Sequence, residues 1–224
     1  MTEQPTGVAG RTILIAGATG DSGRTVARAL VAAGARVIAV GSDQGRVDAL
    51  EAEIPGVVGE VADLTDGDDV LELAMRVHAG IGDVDGVIHL VGGWRGGGGI
   101  AGQTNEDYEF LARSFTALRY VSRAFYDDLV DSPAGRIAMV SSTTVASPTA
   151  GGANYTAVKA ASESWMRSLA QGFAKADAPA AAVTFRVQSL AGLEDLLATS
   201  VVDLWSTDAA DGRELNGSVV ELTA

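Results

Sequence analysis

Tyr155 and Lys159 stand four positions apart in Asn154-Tyr155-Thr156-Ala157-Val158-Lys159, and Ser142 lies thirteen positions ahead of the tyrosine. On a helix, residues at i and i+4 share a face. A phenol and an ammonium would then sit side by side, with a hydroxyl arriving from the preceding element, and one carbonyl oxygen could meet all three. A tyrosine, with an ordinary pKa of about 10, works as an acid or base near neutrality when a cation favours its phenolate. A Tyr-x-x-x-Lys pair is common background in any chain. It carries more weight here because Lys159 and Lys175 are the only lysines among sixteen basic residues.

Those side chains need a strand and a helix to hold them. An apolar run at 136–141 delivers Ser142, and a helical pattern at 154–175 carries Tyr155 and Lys159. Similar runs at 12–16, 36–40, 57–61, 84–90, 182–187 and 218–222 alternate with helical patterns at 22–33, 44–53, 66–79, 105–130 and 193–205. Alternation from end to end predicts a doubly wound α/β sheet of seven parallel strands with helices on both faces. No repeat or linker interrupts it, so a single domain over 11–224 is expected, preceded by a loose tail over 1–10. At 224 residues, 47% of them hydrophobic, the chain can bury a substantial core.

A formal charge of −13 would repel phosphate backbones, and no Lys/Arg cluster offsets it. Nucleic acid is therefore not an expected partner. The chain has no cysteine, which rules out disulfides and thiolate chemistry, and its two histidines, His78 and His89, are too few and too separated to predict a metal centre. No apolar run reaches the length of a membrane span, and residues 1–10 do not read as an export signal. A cytoplasmic location without membrane contact is the expectation.

The first strand runs into Gly17-Ala18-Thr19-Gly20-Asp21-Ser22-Gly23 and then a helix. Glycines in that context permit a tight turn, a close approach of backbone N–H groups to a pyrophosphate, and tight helix–strand packing. The second strand closes on Gly41-Ser42-Asp43. A carboxylate at its end would bond a ribose 2′-hydroxyl and repel a 2′-phosphate. Gly41 with Ser42, and Arg24 or Arg46 nearby, leans toward the phosphorylated dinucleotide, whereas Asp43 argues the other way if the strand ends later. Asp63-Leu64, after the third strand, is placed to meet an adenine, though Asp63 could equally cap the following helix.

With the glycine turn, Asp63-Leu64, Ser142, Tyr155 and Lys159 in this order, the chain resembles the short-chain dehydrogenase/reductase family over nearly its whole length. The resemblance implies a Rossmann-type domain that binds NADP(H) or NAD(H) and moves hydride between nicotinamide and a carbonyl/alcohol pair. It implies Tyr155 as acid/base, Lys159 as the group that holds the nicotinamide ribose and acidifies Tyr155, and Ser142 as the polariser of the substrate oxygen. The cofactor would contact Gly17, Thr19, Gly20, Asp21, Ser22, Gly23, Ser42, Asp63, Leu64, Val91, Gly92, Tyr155, Lys159 and Leu190. A homodimer or homotetramer built on the helices at 105–130 and 154–175 is also implied.

Four departures qualify that picture. Asp21 replaces the middle glycine of the family's turn, and Gly20 comes one position early. The family's Asn-Asn-Ala-Gly after the fourth strand is His89-Leu90-Val91-Gly92 here, with His89 expected as a packed strand residue. Ser114 aligns with the helix asparagine that supports a water between the lysine and solvent. After 187 the chain runs almost directly into the helix at 193–205, so the substrate lid is expected to be shortened or absent and the site open. The loop Gly92-Gly93-Trp94-Arg95-Gly96-Gly97 also resembles the dihydropteridine reductase branch, which implies that Trp94 could stack on a flat, pterin-like substrate. The first reading is an NADP(H)-preferring oxidoreductase acting on a small molecule. The alternative is a lidless member serving a non-redox elimination or isomerisation, or a nucleotide- or partner-binding protein whose open site another element, subunit or partner covers.

Overall fold

A computed structural model describes residues 7–206 and 211–223. Strands β1 (Thr12–Ala16), β2 (Arg36–Gly41), β3 (Val57–Val61), β4 (Gly86–His89), β5 (Arg136–Ser142), β6 (Ala181–Val187) and β7 (Val219–Glu221) form one parallel sheet in the order β3-β2-β1-β4-β5-β6-β7. The helices are α1 (Asp21–Ala32), α2 (Gln44–Glu53), α3 (Gly67–Gly80), α4 (Asn105–Ala124), α5 (Tyr126–Asp131), α6 (Ala153–Lys175), α7 (Glu194–Val202) and the short α8 (Gly212–Leu215).

Two apolar layers follow from the alternation of side chains along each strand. Ile13, Ile15, Ala39, Ile88, Val183 and Phe185 face α1 and α7, where Val26, Leu30, Leu197 and Val201 meet them. Leu14, Ile38, Val87, Ile137 and Met139 face α3, α4 and α6, which supply Leu73, Leu118, Val121, Met166 and Phe173. Both faces are covered, which is why the central strands read as continuous apolar runs.

Several boundaries differ from the sequence reading. The pattern at 105–130 breaks at Phe125, whose φ of −112° and ψ of 15° leave the helical region. The break turns a fully buried ring inward, edge-on to His78 with centroids 5.8 Å apart. Strand β4 is shorter than 84–90 because Val84 donates its N–H to the Asp128 carboxylate rather than to a ladder partner, at 3.0 Å. Of the expected tail over 1–10, residues 1–6 lie outside the described residues. Within 7–10, Val8 is buried at 3% exposed and the Gly10 N–H donates to the Gly34 carbonyl at 2.8 Å, while Ala9 and Gly10 are exposed.

The segment after β6 decides how the site is enclosed. Residues 188–193 lead straight into α7, whose Leu197 and Val201 pack into the α1 layer. Trp205, just beyond, is buried with its indole N–H on the Ala134 carbonyl at 2.9 Å. Its ring fits because Gly86 has no side chain: a Cβ there would lie 2.7 Å from the indole. The chain that could have covered the strand ends is committed to the core. No helix of the described residues is long and apolar enough to cross a membrane.

Candidate active site

Chain order reverses between β1 and β4, so a crevice opens beyond their C-terminal ends, where open α/β sheets take ligands. Gly17 closes β1 with φ at +86°, and a Cβ there would stand 2.9 Å from the Val91 nitrogen. Only glycine lets these two strand ends approach so closely. Gly20 is the N-cap of α1 and brings no side-chain cap, leaving the first-turn N–H groups for an anion. A Cβ on Gly23 would lie 2.5 Å from the Ala18 carbonyl oxygen, so this glycine seats α1 on the turn. The altered glycine spacing therefore still forms a tight turn that leads into an uncapped helix start, with Asp21 exposed beside it.

Gly17, Gly20, Asp21, Ser22, Gly23, Val91, Gly92, Trp94, Tyr155, Lys159 and Leu190 line one cleft of about 410 Å³. His89, Gln188 and Ser189, none of them expected as site residues, join that lining. Thr19, Ser42, Asp63 and Leu64 line an adjoining cleft of about 410 Å³, together with Gly17, Arg46 and Arg113. The two share Gly17, Gly20, Val91 and Gly92, so together they form one groove across the strand ends.

At the outer end, β2 stops at Gly41, where a Cβ would fall 2.7 Å from a Thr19 methyl. Asp43 is the side-chain cap of α2, accepting from the Arg46 N–H at 2.8 Å. Arg46 Nη2 donates to the Thr19 carbonyl at 3.1 Å and so stands at the groove wall. Asp63 is not the cap of α3, a role taken by Asp66, which accepts from Asp68 and Asp69 N–H groups. Asp63 instead accepts from the Thr65 hydroxyl and N–H, at 2.7 and 2.9 Å. Those two bonds, against some burial and with help from Arg113, hold its carboxyl below the ordinary range.

At the inner end, α6 presents Tyr155 and Lys159, with the Lys159 Nζ 5.8 Å from the tyrosine ring centroid. Lys159 donates to the Val140 carbonyl at 2.8 Å. Burial pulls its pKa down to about 8, with the Glu163 charge opposing. Tyr155 goes the other way from the sequence expectation. Burial raises its pKa and the Ser142 hydroxyl works to lower it, and desolvation is the larger of the two.

Ser142 is 1% exposed at the end of β5 and does not line the groove surface. Its Oγ accepts from the Thr144 hydroxyl at 3.0 Å and from the Thr144 N–H at 3.2 Å, and the Thr144 hydroxyl accepts in turn from Thr156 at 3.1 Å. A hydroxyl has two acceptor sites and one proton. With both acceptor sites used, Ser142 has its hydrogen left to give, and its hydroxyl is near enough to Tyr155 to oppose the rise of the phenol's pKa. Sequence spacing gave no signal of this threonine relay.

Ser114 does not join the site as expected. It is buried in α4, its hydroxyl donates to the Leu111 carbonyl at 2.8 Å, and its own carbonyl accepts from His89 Nε2 at 3.0 Å. It lines neither cleft.

The glycine-rich loop after β4 is pinned by backbone contacts. The Gly97 N–H donates to the Gly151 carbonyl at 2.8 Å, and Gln103 Nε2 reaches the carbonyls of Gly97, Gly99 and Gly151 while its Oε1 accepts from the Asn154 N–H. The loop is thereby fixed to the start of α6. Trp94 is left 67% exposed on the cleft, and the Arg95 guanidinium lies 4.0 Å above the Phe110 ring.

The family model for short chain dehydrogenases matches residues 11–185. Among curated proteins, the chain is 42% identical over 78 residues to L-xylulose reductase of Bos taurus, a match covering 35% of this chain and 30% of that protein. It is 25% identical over 163 residues to a 3-oxoacyl-acyl-carrier-protein reductase of Haemophilus influenzae, covering 72% of this chain and 67% of that one. The first of these matches thus spans less than a third of the relative's length. Among solved structures, a short chain dehydrogenase/reductase family protein superposes with a TM-score of 0.82 at 24% identity, covering 96% of each chain. A short-chain type dehydrogenase/reductase from Mycobacterium ulcerans gives 0.82 at 22%, covering 96% of this chain and 89% of that one. At those identities the structures speak to the fold.

Proposed function

The chain belongs to the short-chain dehydrogenase family, and from that premise we propose that it is an NADP(H)-preferring oxidoreductase that interconverts a small carbonyl compound and its alcohol. The observation that carries this reading is the groove itself, in which a phosphate cradle at Gly17–Gly23 and the Tyr155–Lys159 pair share one cleft. The Gly17 and Gly23 positions, where a Cβ would meet backbone, and the uncapped start of α1 fit a dinucleotide. When bound there, the nicotinamide supplies or accepts the hydride.

The protein's own residues account for the proton. Burial keeps Tyr155 protonated at neutral pH, so it is poised to give its proton to the substrate oxygen in the reductive direction. Ser142, with its acceptor sites occupied by Thr144, has one hydrogen to give, which would turn to the substrate oxygen once that oxygen stands beside Tyr155. Lys159, charged below about pH 8, stabilises the phenolate that Tyr155 becomes. Reduction needs Tyr155 protonated and Lys159 charged. Reductive kcat/KM is therefore expected to be level at neutral pH and to fall as pH rises through about 8, which a pH–rate profile would read directly. Trp94, exposed on the cleft, favours a substrate with a flat ring, a pterin-like heterocycle included.

Preference for NADP(H) is supported by the absence of a carboxylate at the end of β2. Gly41 leaves no room for one, Asp43 is spent as the α2 cap, and Arg46 stands at the wall. Arg46→Ala is expected to weaken NADPH binding by about tenfold or more, the worth of a charge-assisted hydrogen bond, while changing NADH binding little. Separate titrations with NADPH and NADH, followed by a carbonyl and pterin screen read by nicotinamide absorbance, test the whole reading. Failure of both dinucleotides to bind would overturn it.

A further inference from the structure

His89 is a buried titratable group on the cleft wall that the proton chemistry above leaves unused. It closes β4, fully enclosed, with Nε2 3.0 Å from the Ser114 carbonyl. A carbonyl can only accept, so Nε2 carries the hydrogen and Nδ1 is a bare lone pair. Nδ1 is buried and has no protein partner. An orphaned acceptor in so enclosed a place needs a donor.

A donor on the same cleft wall is Lys159, whose charge acts on the ring. Its ammonium has three hydrogens, of which Val140 on the neighbouring strand takes one. The ammonium lies against the loop that follows β4, where a Cβ on Gly92 would stand 3.8 Å from Nζ. We infer that His89 is a positioning residue for Lys159: its neutral Nδ1 accepts from the ammonium through one bridging water, while its Nε2–H on the Ser114 carbonyl fixes the ring in that orientation. The inference rests on the reading of Lys159 as the cation that serves Tyr155.

The electrostatics agree with that arrangement. Burial first, and the Lys159 charge second, hold the His89 pKa down to about 3, so the ring stays an acceptor throughout the working range. The other titratable groups about Lys159 are Tyr155 and Glu163 on its own helix. Arg186 of β6 is paired with Glu163 and so balances that carboxylate. From α4 the contribution is the Ser114 carbonyl, which carries no charge. His89 is thus the neutral acceptor that lets a buried ammonium stay charged at neutral pH.

The contact can be read without turnover. In protein labelled with ¹⁵N-histidine, Nδ1 of His89 is expected to remain unprotonated down to pH 5. Its resonance should move in Lys159→Met and step in the parent chain as pH passes about 8, where Lys159 loses its charge. A protonated Nδ1, or a resonance indifferent to both changes, would overturn the inference. In the holoenzyme, His89→Leu should shift the alkaline limb of reductive kcat/KM down by roughly one pH unit, the effect of removing one acceptor from a charged donor. His89→Gln, which keeps a donor for Ser114 and an acceptor for Lys159, should restore the limb. An unmoved limb in folded His89→Leu counts against the contact. If no carbonyl compound is reduced at all, the proposed function falls, and the ¹⁵N measurement still decides the contact by itself.

Discussion

Tyr155→Phe is expected to lower kcat for carbonyl reduction about a thousandfold while leaving NADPH affinity within about threefold of the parent chain. The substitution removes one oxygen and nothing else. That oxygen carries the proton given in the proposed reaction and lies near Ser142, whose two acceptor sites are filled by Thr144. The phosphate cradle around Gly17 and Gly23 lies at the other side of the cleft and would be untouched. Steady-state rates and a binding titration on the same preparation separate the two effects. Turnover that survives would remove Tyr155 from the chemistry, and binding lost with turnover would mean the change had damaged the site.

Glu163→Ala should cost about 3 kcal/mol of folding stability, the usual scale for removing one partner of a buried ion pair. Glu163 is 3% exposed on α6, yet it holds Arg186 of β6 through two bonds, of 2.8 and 2.6 Å, and accepts from Ser141 at 2.8 Å. Burial alone would push the carboxyl up. The Arg186 and Ser141 hydrogen bonds, with the charges of Arg186 and Arg167, outweigh it and hold the carboxyl below its ordinary value. A carboxyl depressed on folding adds stability in full above its unfolded pKa, about 4.3 for glutamate. That contribution is lost as pH falls through the lower folded value. Denaturant melts of the parent and the variant should therefore differ at pH 7 and converge in acid. Equal midpoints at pH 7 would show that the pair contributes nothing net. Because the Glu163 charge raises Lys159, the variant should also bring the alkaline limb of reduction to lower pH.

The sheet was readable because its strands are buried on both faces. Thr12–Ala16 and Arg136–Ser142 are near-continuous apolar runs, and the turns between elements carry their own glycines and caps. What blurred was decided by distant side chains. Nothing near residue 84 announces that Asp128 draws the Val84 N–H out of the β4 ladder, and Phe125 breaks a helical pattern that contains neither proline nor glycine at that point. The pair at 155 and 159 was visible from spacing alone, and so was Ser142 ahead of it. The direction of the Ser142 hydrogen was not, because it depends on Thr144 and Thr156, joined only when α6 packs against the end of β5. Asp63 could equally have capped the next helix, and the structure gives that cap to Asp66, three residues on. Ser114 and His89 show the same limit from two sides: the hydroxyl of the residue expected to serve the site is turned into its own helix, and the one expected to be packing lines the cleft and feels the Lys159 charge.

The packing of α7 onto α1 bears on kinetics as well as architecture. With no flap among the described residues to shut over a substrate, the proposed reaction has no closing step to commit it and no opening step to delay its product. The slow event in each cycle is then expected to be the making and breaking of the C–H bond. Isotopic substitution of the transferred hydrogen would reach the observed rate nearly undiminished, and thickening the solvent would leave that rate unchanged.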